Sequence, residues 1–554
     1  MNIKYNFKIT IFFFFITYFF LGTIIYNDYG IGIEEHFQRQ NGFYWLNYFI
    51  SNTNLESLKS IIDLKYKEIL QTNPYLPDTN IFNFYGILFD LPLALIETLF
   101  KFDESKSYFE LRHFSIFLVF FVSSIYFYKI LKGRFDNNLI ILLGLFLYIF
   151  TPRIFGDSFH NNKDVLFLSV LTISISYLFE LFKKDNFRNL VLFCFFSALA
   201  TSSRIMGIYL PIILIIFYFL EYLNSQLTLK NFIFKSLKII IFFYFFLLIH
   251  YPYAWQLNIF ELKNWFSNFF YWMDIEVLFN GQYYPIKYLP RSYLPILILI
   301  STPIFILFFF AVGAFHSGNK IFKLILSIEE KKIDGKKNDL WSSINEKKDL
   351  FIFISCFSFI SFAIFLNVAM LSGWRHFYFL HIFIVYFSAL GASCLYNLLI
   401  KKINIKIIYL LIFLIISHLL FLNIKFHPYQ SLYFNNFFGL NYINKFQVDT
   451  PSLSRSDSLK FITKNEATKK DKIYVAIASW TSMHNGKDML SEIDKEKLIF
   501  VGQEFQKADY IYTNYIFQSE NKYDKRFKIP SNFERIKDFK IDNIMIYSIY
   551  KRKN

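Results

Sequence analysis

Eleven apolar runs dominate this chain, at about 9–26, 111–130, 138–152, 165–182, 189–202, 205–222, 236–251, 293–315, 350–371, 377–399 and 406–423. A run of about 18 apolar residues wound as a helix crosses roughly 30 Å of hydrocarbon. Inside a bilayer the backbone must satisfy its own hydrogen bonds, and a helix does so within one segment. The expected fold is therefore a polytopic α-helical membrane protein with about 11 transmembrane helices. The 76 Phe among 554 residues point the same way. The run Ile81 to Phe100 holds Asp90, Pro92 and Glu97, which suits an amphipathic helix on the membrane surface better than a span.

A formal net charge of +16 would be compatible with nucleic acid. Its placement argues otherwise, because the lysines cluster in short loops between apolar runs. Lys4 and Lys8 precede the first run. Lys129, Lys132 and Arg134 follow the second, and Lys183, Lys184 and Arg188 the fourth. Lys230, Lys235 and Lys238, the stretch Lys320 to Lys348 and "KKINIK" at 401–406 continue the alternation. With eleven spans all of these fall on one side, the cytoplasmic side by the positive-inside rule. The amino terminus is then cytoplasmic. Residues 27–110, 153–164, 252–292, 372–376 and the chain beyond about 424 lie outside, in a bacterial inner membrane the periplasm. No small-residue cleavage site follows the first run, so an uncleaved first helix is expected. Cys194, Cys356 and Cys394 lie far apart inside apolar runs and read as buried small hydrophobes.

Two domains are expected: a membrane domain over 1–423 and a small extracytoplasmic α/β domain over 424–554. In the tail the apolar runs are short: "KIYVAIA", "KLIFVG", "ADYIYTN" and "NIMIYSIY". They read as strands, with a helix near Ser456 to Lys464.

Polar residues beside membrane spans are costly and call for a reason. Here they gather on the outer side. Glu34 and Glu35, with His36, Gln38 and Arg39, follow the first span, and the aromatics Phe43, Tyr44 and Trp45 come next. An acid held at the membrane surface can take a proton from a nucleophile. The loop "TPRIFGDSFHNNKD" packs Arg153, Asp157, His160, Asn161, Asn162, Lys163 and Asp164 into more charge than a connector needs. It reads as a phosphate or metal site, with Asp157, His160 and Asp164 as candidate ligands for a divalent cation. Arg375 and His376 form a short turn between spans, where Arg can grip a phosphate bidentately. Arg204 in "TSSRIMG" is a weaker instance. The stretch 252–292 is rich in Trp and Tyr, as an interfacial belt or as a lid that stacks on sugars.

In the order of these parts the chain resembles the GT-C class of integral-membrane glycosyltransferases, in particular the dolichyl-phosphate-mannose protein mannosyltransferases and the lipid A aminoarabinose transferases. The resemblance runs over about residues 1–440: the acid pair, "YGILFDLPLALIETLF" before "ELRHFSIFLVFF", then "PRIFGDSFHNNKD", "SSRIMGIYLP", "GWRHFYFL" and "FHPYQSLYFN". It implies a sugar moved from a polyprenyl-phosphate carrier to a glycan, lipid or protein acceptor on the outer face. It also implies a base at Glu34 or Glu35 and a second acid, holding metal or acceptor, at Asp157 or Asp164. Glu34 stands where the family commonly has Asp. Neighbouring His36 and the aromatic helix weight the choice toward Glu35. Arg153, Lys163, Arg204, Arg375 and His376 would meet substrate and phosphate, and a divalent metal ion is the one cofactor implied. Hexosyl and pentosyl transfer are both open. The alternative is a polytopic transporter or lipid flippase without glycosyl transfer. Such proteins place charge at mid-membrane and show duplicated halves, and neither is visible here.

Overall fold

The protein is described by a computed structural model covering residues 3–72, 85–256, 275–326, 340–435, 445–466, 471–516, 518–519, 522–523 and 525–553. Among these, nine helices are long and apolar enough to cross a membrane, and two shorter apolar helices cover Asn138–Phe150 and Phe187–Ser203. Each of the eleven apolar runs of the sequence contains helix, but against the about 11 spans expected, nine helices among the described residues are of full spanning length. The chain is an integral, multi-pass membrane protein.

Helix α1 covers Ile3–Ile25, α2 Glu35–Ser51, α3 Glu56–Thr72, α4 Asp90–Leu99, α5 Ser105–Lys132, α6 Asn138–Phe150, α7 Pro152–Asp157, α8 Asp164–Lys183, α9 Phe187–Ser203, α10 Tyr209–Leu223 and α11 Leu229–His250. Later spans run over Ile304–Leu326, Ile344–Phe365, Leu380–Leu399 and Ile405–Phe426. Burial separates inner from outer helices. In α8 nearly every residue is buried, whereas α1 exposes Phe12, Phe13, Phe20 and Ile24 by 60% or more, a lipid-facing side.

The run expected to span 293–315 is broken. One helix ends at Ser301, Thr302 is extended, and the span begins at Ile304. Pro303 is the cause, since a proline disfavours helical backbone in the residue before it. Asn435 satisfies the orphaned end: its amide N–H₂ donates to the carbonyls of Leu299 (2.6 Å) and Thr302 (2.7 Å).

Helix α4 lies within the segment expected on the membrane surface; residues 81–84 of that segment fall outside the described residues. Its polar side chains point into the protein. Glu97 is buried against Arg39 (3.1 Å), and Asp90 against Arg112 (3.3 Å) and Asn41 (3.2 Å). Leu99, its last residue, and Phe100 just past its end are exposed. This is the polarity of a helix wedged between protein and lipid.

At the opposite end of the bundle, charges tie spans together. Arg134 holds Asp349 through two hydrogen bonds (2.8 and 2.7 Å), Tyr386 donates to the same carboxylate (2.6 Å), and Lys347 pairs with Glu221. Pairing is what makes such burial tolerable.

Beyond the spans, β1 (Glu276–Phe279) and β2 (Gln282–Pro285) form a hairpin through Asn280 and Gly281, both at positive φ. Of the aromatic stretch read as a belt or lid, residues 257–274 are outside the described residues. The tail contains a helix, Ser454–Asn465, and a five-stranded sheet. Its strands are β3 (Ile473–Ile477), β4 (Leu498–Phe500), β5 (Tyr510–Thr513), β8 (Phe533–Ile541) and β9 (Ile544–Arg552), in the order β4-β3-β5-β9-β8. The first three are mutually parallel, and β9 runs antiparallel to β5 and β8. A two-stranded ribbon, β6 (Gln518–Ser519) with β7 (Lys522–Tyr523), completes the tail.

Candidate functional site

Three loops and the start of the tail meet at one end of the bundle around a cavity of about 450 Å³ that opens to solvent. Its walls bring together Glu34 and Glu35, Arg153, Asp157 and His160, Arg375 and Tyr378, and Thr450 and Pro451. Segments more than 400 residues apart in sequence therefore share one site.

The first loop delivers the acids. Glu34 occupies the N-cap position of α2 and Glu35 its first turn, so the two side chains diverge. Glu35 is 2% exposed and turns back on its own loop: it accepts from the Gly32 N–H (2.6 Å) and from the His113 ring on α5 (3.0 Å). Glu34 turns into the cavity and forms an ion pair with Arg375. Burial alone would raise the Glu34 carboxyl. Arg375 first, then Lys163 and Arg204, overcome it and hold the group well below the usual carboxylate range. Glu34 is therefore ionised at any working pH.

The second loop begins at Pro152. Its fixed φ and missing N–H suit a first helical position, and α7 starts there. Gly156 lies so close to Gln430 that an added Cβ would approach that side chain to 2.9 Å, which seats α7 against the tail. After α7, Asn161 closes the turn. Its side-chain oxygen Oδ1 accepts from the Asp164 N–H (2.9 Å), and its side-chain Nδ2 donates to Asp157 (3.2 Å) and Asp164 (3.2 Å). His160 stands 3.4 Å from Asp157.

Asp164 points the other way, into an ion pair with Arg204, and lies 3.8 Å from the Arg375 guanidinium. Arg375 thus sits between two carboxylates, Glu34 and Asp164. Burial pushes the neighbouring His376 imidazole down, with Arg204 adding to the effect, to about 3, so at neutral pH it is an uncharged hydrogen-bonding group. Burial and the Asp157 charge keep the Tyr378 phenol protonated. Arg153 reaches the Tyr433 carbonyl (3.4 Å) and lies over the Phe434 ring (5.6 Å). Lys163 lies 4.0 Å from the centre of the Tyr85 ring.

All ten residues singled out in the sequence lie in this one neighbourhood. They fall into two sets. Glu34, Glu35, Asp157, His160, Arg153 and Arg375 face the cavity, while Asp164, Arg204, Lys163 and His376 surround Arg375 and Glu34. The set read as a metal site does not converge. Asp157 and His160 are adjacent, but Asp164 is taken by Arg204. Among the described residues no three His, Cys, Asp or Glu side chains stand close enough to hold an ion. The first-loop neighbours His36 and Arg39 are structural: His36 binds Asp488 (2.7 Å) and Arg39 binds Glu97.

Sequence reasoning missed three contributors. His113 holds Glu35, Tyr378 faces Asp157, and Arg455 of the tail braces the acid loop. Arg112 and His113 stand a short way into an apolar run, a cost that could have flagged them. Arg455 is buried and donates to the carbonyls of Ser452 (2.9 Å), Ser482 (2.8 Å) and Ile31 (3.0 Å). The Ile33 N–H donates to the Pro451 carbonyl (3.1 Å), and Gly30 touches the Leu453 backbone so closely that a Cβ would overlap it. The tail is thus a wall of the site.

Residues 88–250 match the sequence profile of the dolichyl-phosphate-mannose-protein mannosyltransferase family. Over that segment the resemblance to GT-C membrane glycosyltransferases is borne out. The matched stretch carries Arg153, Asp157, His160, Lys163, Asp164 and Arg204; Glu34, Glu35 and Arg375 lie outside it. Among solved structures, crystal structures of ArnT from Cupriavidus metallidurans are similar at 10% identity. With the form bound to undecaprenyl phosphate the TM-score is 0.45, covering 98% of this chain and 97% of that one. With the apo form it is 0.38, covering 84% and 87%. A comparison with curated protein sequences finds no match.

Proposed function

We propose that this chain transfers a sugar, a hexose or a pentose, from a polyprenyl-phosphate carrier to a glycan, lipid or protein acceptor. The reaction takes place where the cavity opens, on the outer face of a bacterial inner membrane, with the amino terminus cytoplasmic and the tail periplasmic. The family match over 88–250 supports the reaction class and a lipid-phosphate-linked donor. The observation that carries the reading is the pairing of Glu34 with Arg375 inside a cavity that also holds Asp157 and His160.

The chemistry follows from those groups. The carrier phosphate competes with Glu34 for Arg375, while Arg204 and Lys163 supply further positive charge nearby. Once Arg375 turns to the phosphate, Glu34 loses the neighbour that most depresses its pKa and regains basicity. The acceptor hydroxyl or amine attacks the anomeric carbon. The bond from that carbon to the phosphate oxygen breaks, the electron pair leaves with the polyprenyl phosphate, and the acceptor proton passes to Glu34. A single displacement of this kind inverts the anomeric carbon. Glu35 is engaged on Gly32 and His113, so its part is to shape the loop that presents Glu34. Asp157, next to His160 and facing the cavity, is placed to orient the acceptor.

Incubating the chain in bilayers with a labelled polyprenyl-phosphate sugar tests the reading. Label leaving the carrier in the parental chain, and staying in Glu34→Gln, supports it. No release with any sugar on the carrier sinks it.

A further inference from the structure

A second cavity of about 460 Å³ adjoins the first and shares Gln38 and Asn162 with it. It is lined by the start of α2, by Tyr85 and the turn leading to α4, and by the outer ends of α8 and α9. Of its lining, the transfer step derived above uses only the charge of Lys163.

Its polar groups are unusual. Asn162 is 5% exposed, and both of its amide atoms lack a hydrogen-bond partner among the described residues. Gln38 is 6% exposed and Asn41 1%, and their carbonyl oxygens lack partners in the same sense. A buried polar atom left unpaired is costly, so a cluster of them at one cavity wants a ligand that supplies the missing bonds. Asp90 and Lys163 line the same cavity; Asp90 accepts from Asn41 and Arg112, and Lys163 lies over Tyr85.

The donor set identifies the class of ligand. Uncharged amides that both donate and accept match hydroxyl groups, which do the same. A lipid tail would satisfy none of them. A phosphate would seek the guanidinium groups, which stand at the first cavity. The remaining lining is apolar and aromatic, with Phe37 and Tyr85 in edge contact at 5.3 Å, and a few convergent polar groups in such a lining fix a ligand's orientation. The position fits as well: Lys163 at this cavity acts electrostatically on Glu34 in the other.

We propose that this second cavity is the subsite for a sugar ring, whose hydroxyls pair with Asn162, Gln38 and Asn41 while its reacting carbon faces Glu34. The assignment rests on the proposed function and adds where the sugar is held. The ring belongs either to the donor or to a glycan acceptor, and the chemistry is common to both.

Binding to the detergent-solubilised full chain distinguishes the outcomes. The probes are bare polyprenyl phosphate, the same carrier bearing mannose, N-acetylglucosamine or arabinose, and the methyl glycosides of those sugars. At least one sugar should bind the parental chain more tightly than the bare carrier, or add to the bare carrier's binding as a free glycoside. Asn162→Ala and Gln38→Ala should each remove about tenfold or more of that gain, because a subsite built on hydroxyl hydrogen bonds loses them. Both variants should bind the bare carrier as the parent does, which shows that they fold. A gain confined to carrier-linked sugars assigns the ring to the donor; a gain from free glycosides assigns it to the acceptor. If the bare carrier binds but no sugar adds affinity, or the variants keep the whole gain or lose the bare carrier as well, the subsite is wrong and the proposed function stands. If the parental chain does not bind the bare carrier, both fall together.

Discussion

The guanidinium of Arg455, in the tail, donates to the carbonyl of Ile31 at 3.0 Å, three residues before Glu34. A buried cation from the last quarter of the chain thus fixes the backbone that presents the candidate base. The same side chain holds Ser452 and Ser482, so one residue bonds to both the loop and the tail.

Arg455→Ala should therefore separate activity from membrane folding. Removing it leaves three backbone carbonyls short of a charged donor, at about 1.5–3 kcal/mol each where the group stays buried. Hydrogen exchange should quicken at 29–36 and 449–456 while the spans keep their protection. Transfer should fall by tenfold or more, because the Glu34 carboxylate is no longer held in register. Unchanged exchange in the first loop would show that the tail does not brace it.

Asp449 gives a pH signature. It is buried, and burial lifts its carboxyl to about 6 against the hydrogen bonds from Ser454, Asn514 and the Leu453 N–H. A raised carboxyl favours the protonated form in the folded state. Its contribution is fully present below the unfolded value of about 4 and is lost as the pH rises toward 6, roughly 3 kcal/mol in all. Asp449→Asn abolishes that dependence. Exchange protection of β5 should fall between pH 4 and 6 in the parent relative to the variant compared at each pH. A constant difference across that window would contradict the assignment.

The two acids of the second loop should behave differently. Asp164 anchors Arg204 and approaches Arg375, so Asp164→Ala strands buried charge at a cost of about 3 kcal/mol and lowers both melting temperature and transfer. Asp157 faces the cavity, and Asp157→Asn should lower transfer while the melting temperature holds. Equal effects of the two on melting would show that the loop acts only as a brace.

Much of this was legible in the chain. Apolar runs announce helices wherever the bilayer demands internally bonded backbone, and four of the tail's strands are short β-branched or aromatic runs. Strand β8 was missed because "FERIKDFKI" alternates charge with apolar residues on a partly exposed sheet edge. The break before Ile304 needed only Pro303. The cations and acids of the site were visible as charge beside spans, where it is costly. Their partners were not: that Arg375 takes Glu34 while His113 takes Glu35 depends on which way two adjacent side chains leave the start of a helix. Asp488 and Arg455 read as surface charge in a polar tail, and only the docking of that tail buries them.

The weight given to Glu35 by its neighbours His36 and the aromatic helix shifts to Glu34 on the geometry. His36 is engaged with Asp488, and Glu35 is enclosed by Gly32 and His113. Glu35→Gln should consequently cost stability and some activity together, since Gln still accepts from Gly32 but offers the His113 ring no charge. A loss of transfer in Glu35→Gln with unchanged melting would return the weight to Glu35.

The most direct measurement is the rate of sugar transfer from a labelled polyprenyl-phosphate donor by Glu34→Gln, alongside binding of the bare carrier. Gln keeps the shape of the side chain and accepts no proton. The expected result is a fall in rate of about a hundred- to ten-thousand-fold. Carrier binding should be kept or tightened, because Arg375 is freed from its ion pair. Transfer at the parental rate with the melting temperature unchanged would contradict the account, because the carboxylate facing Arg375 would then have no part in the chemistry.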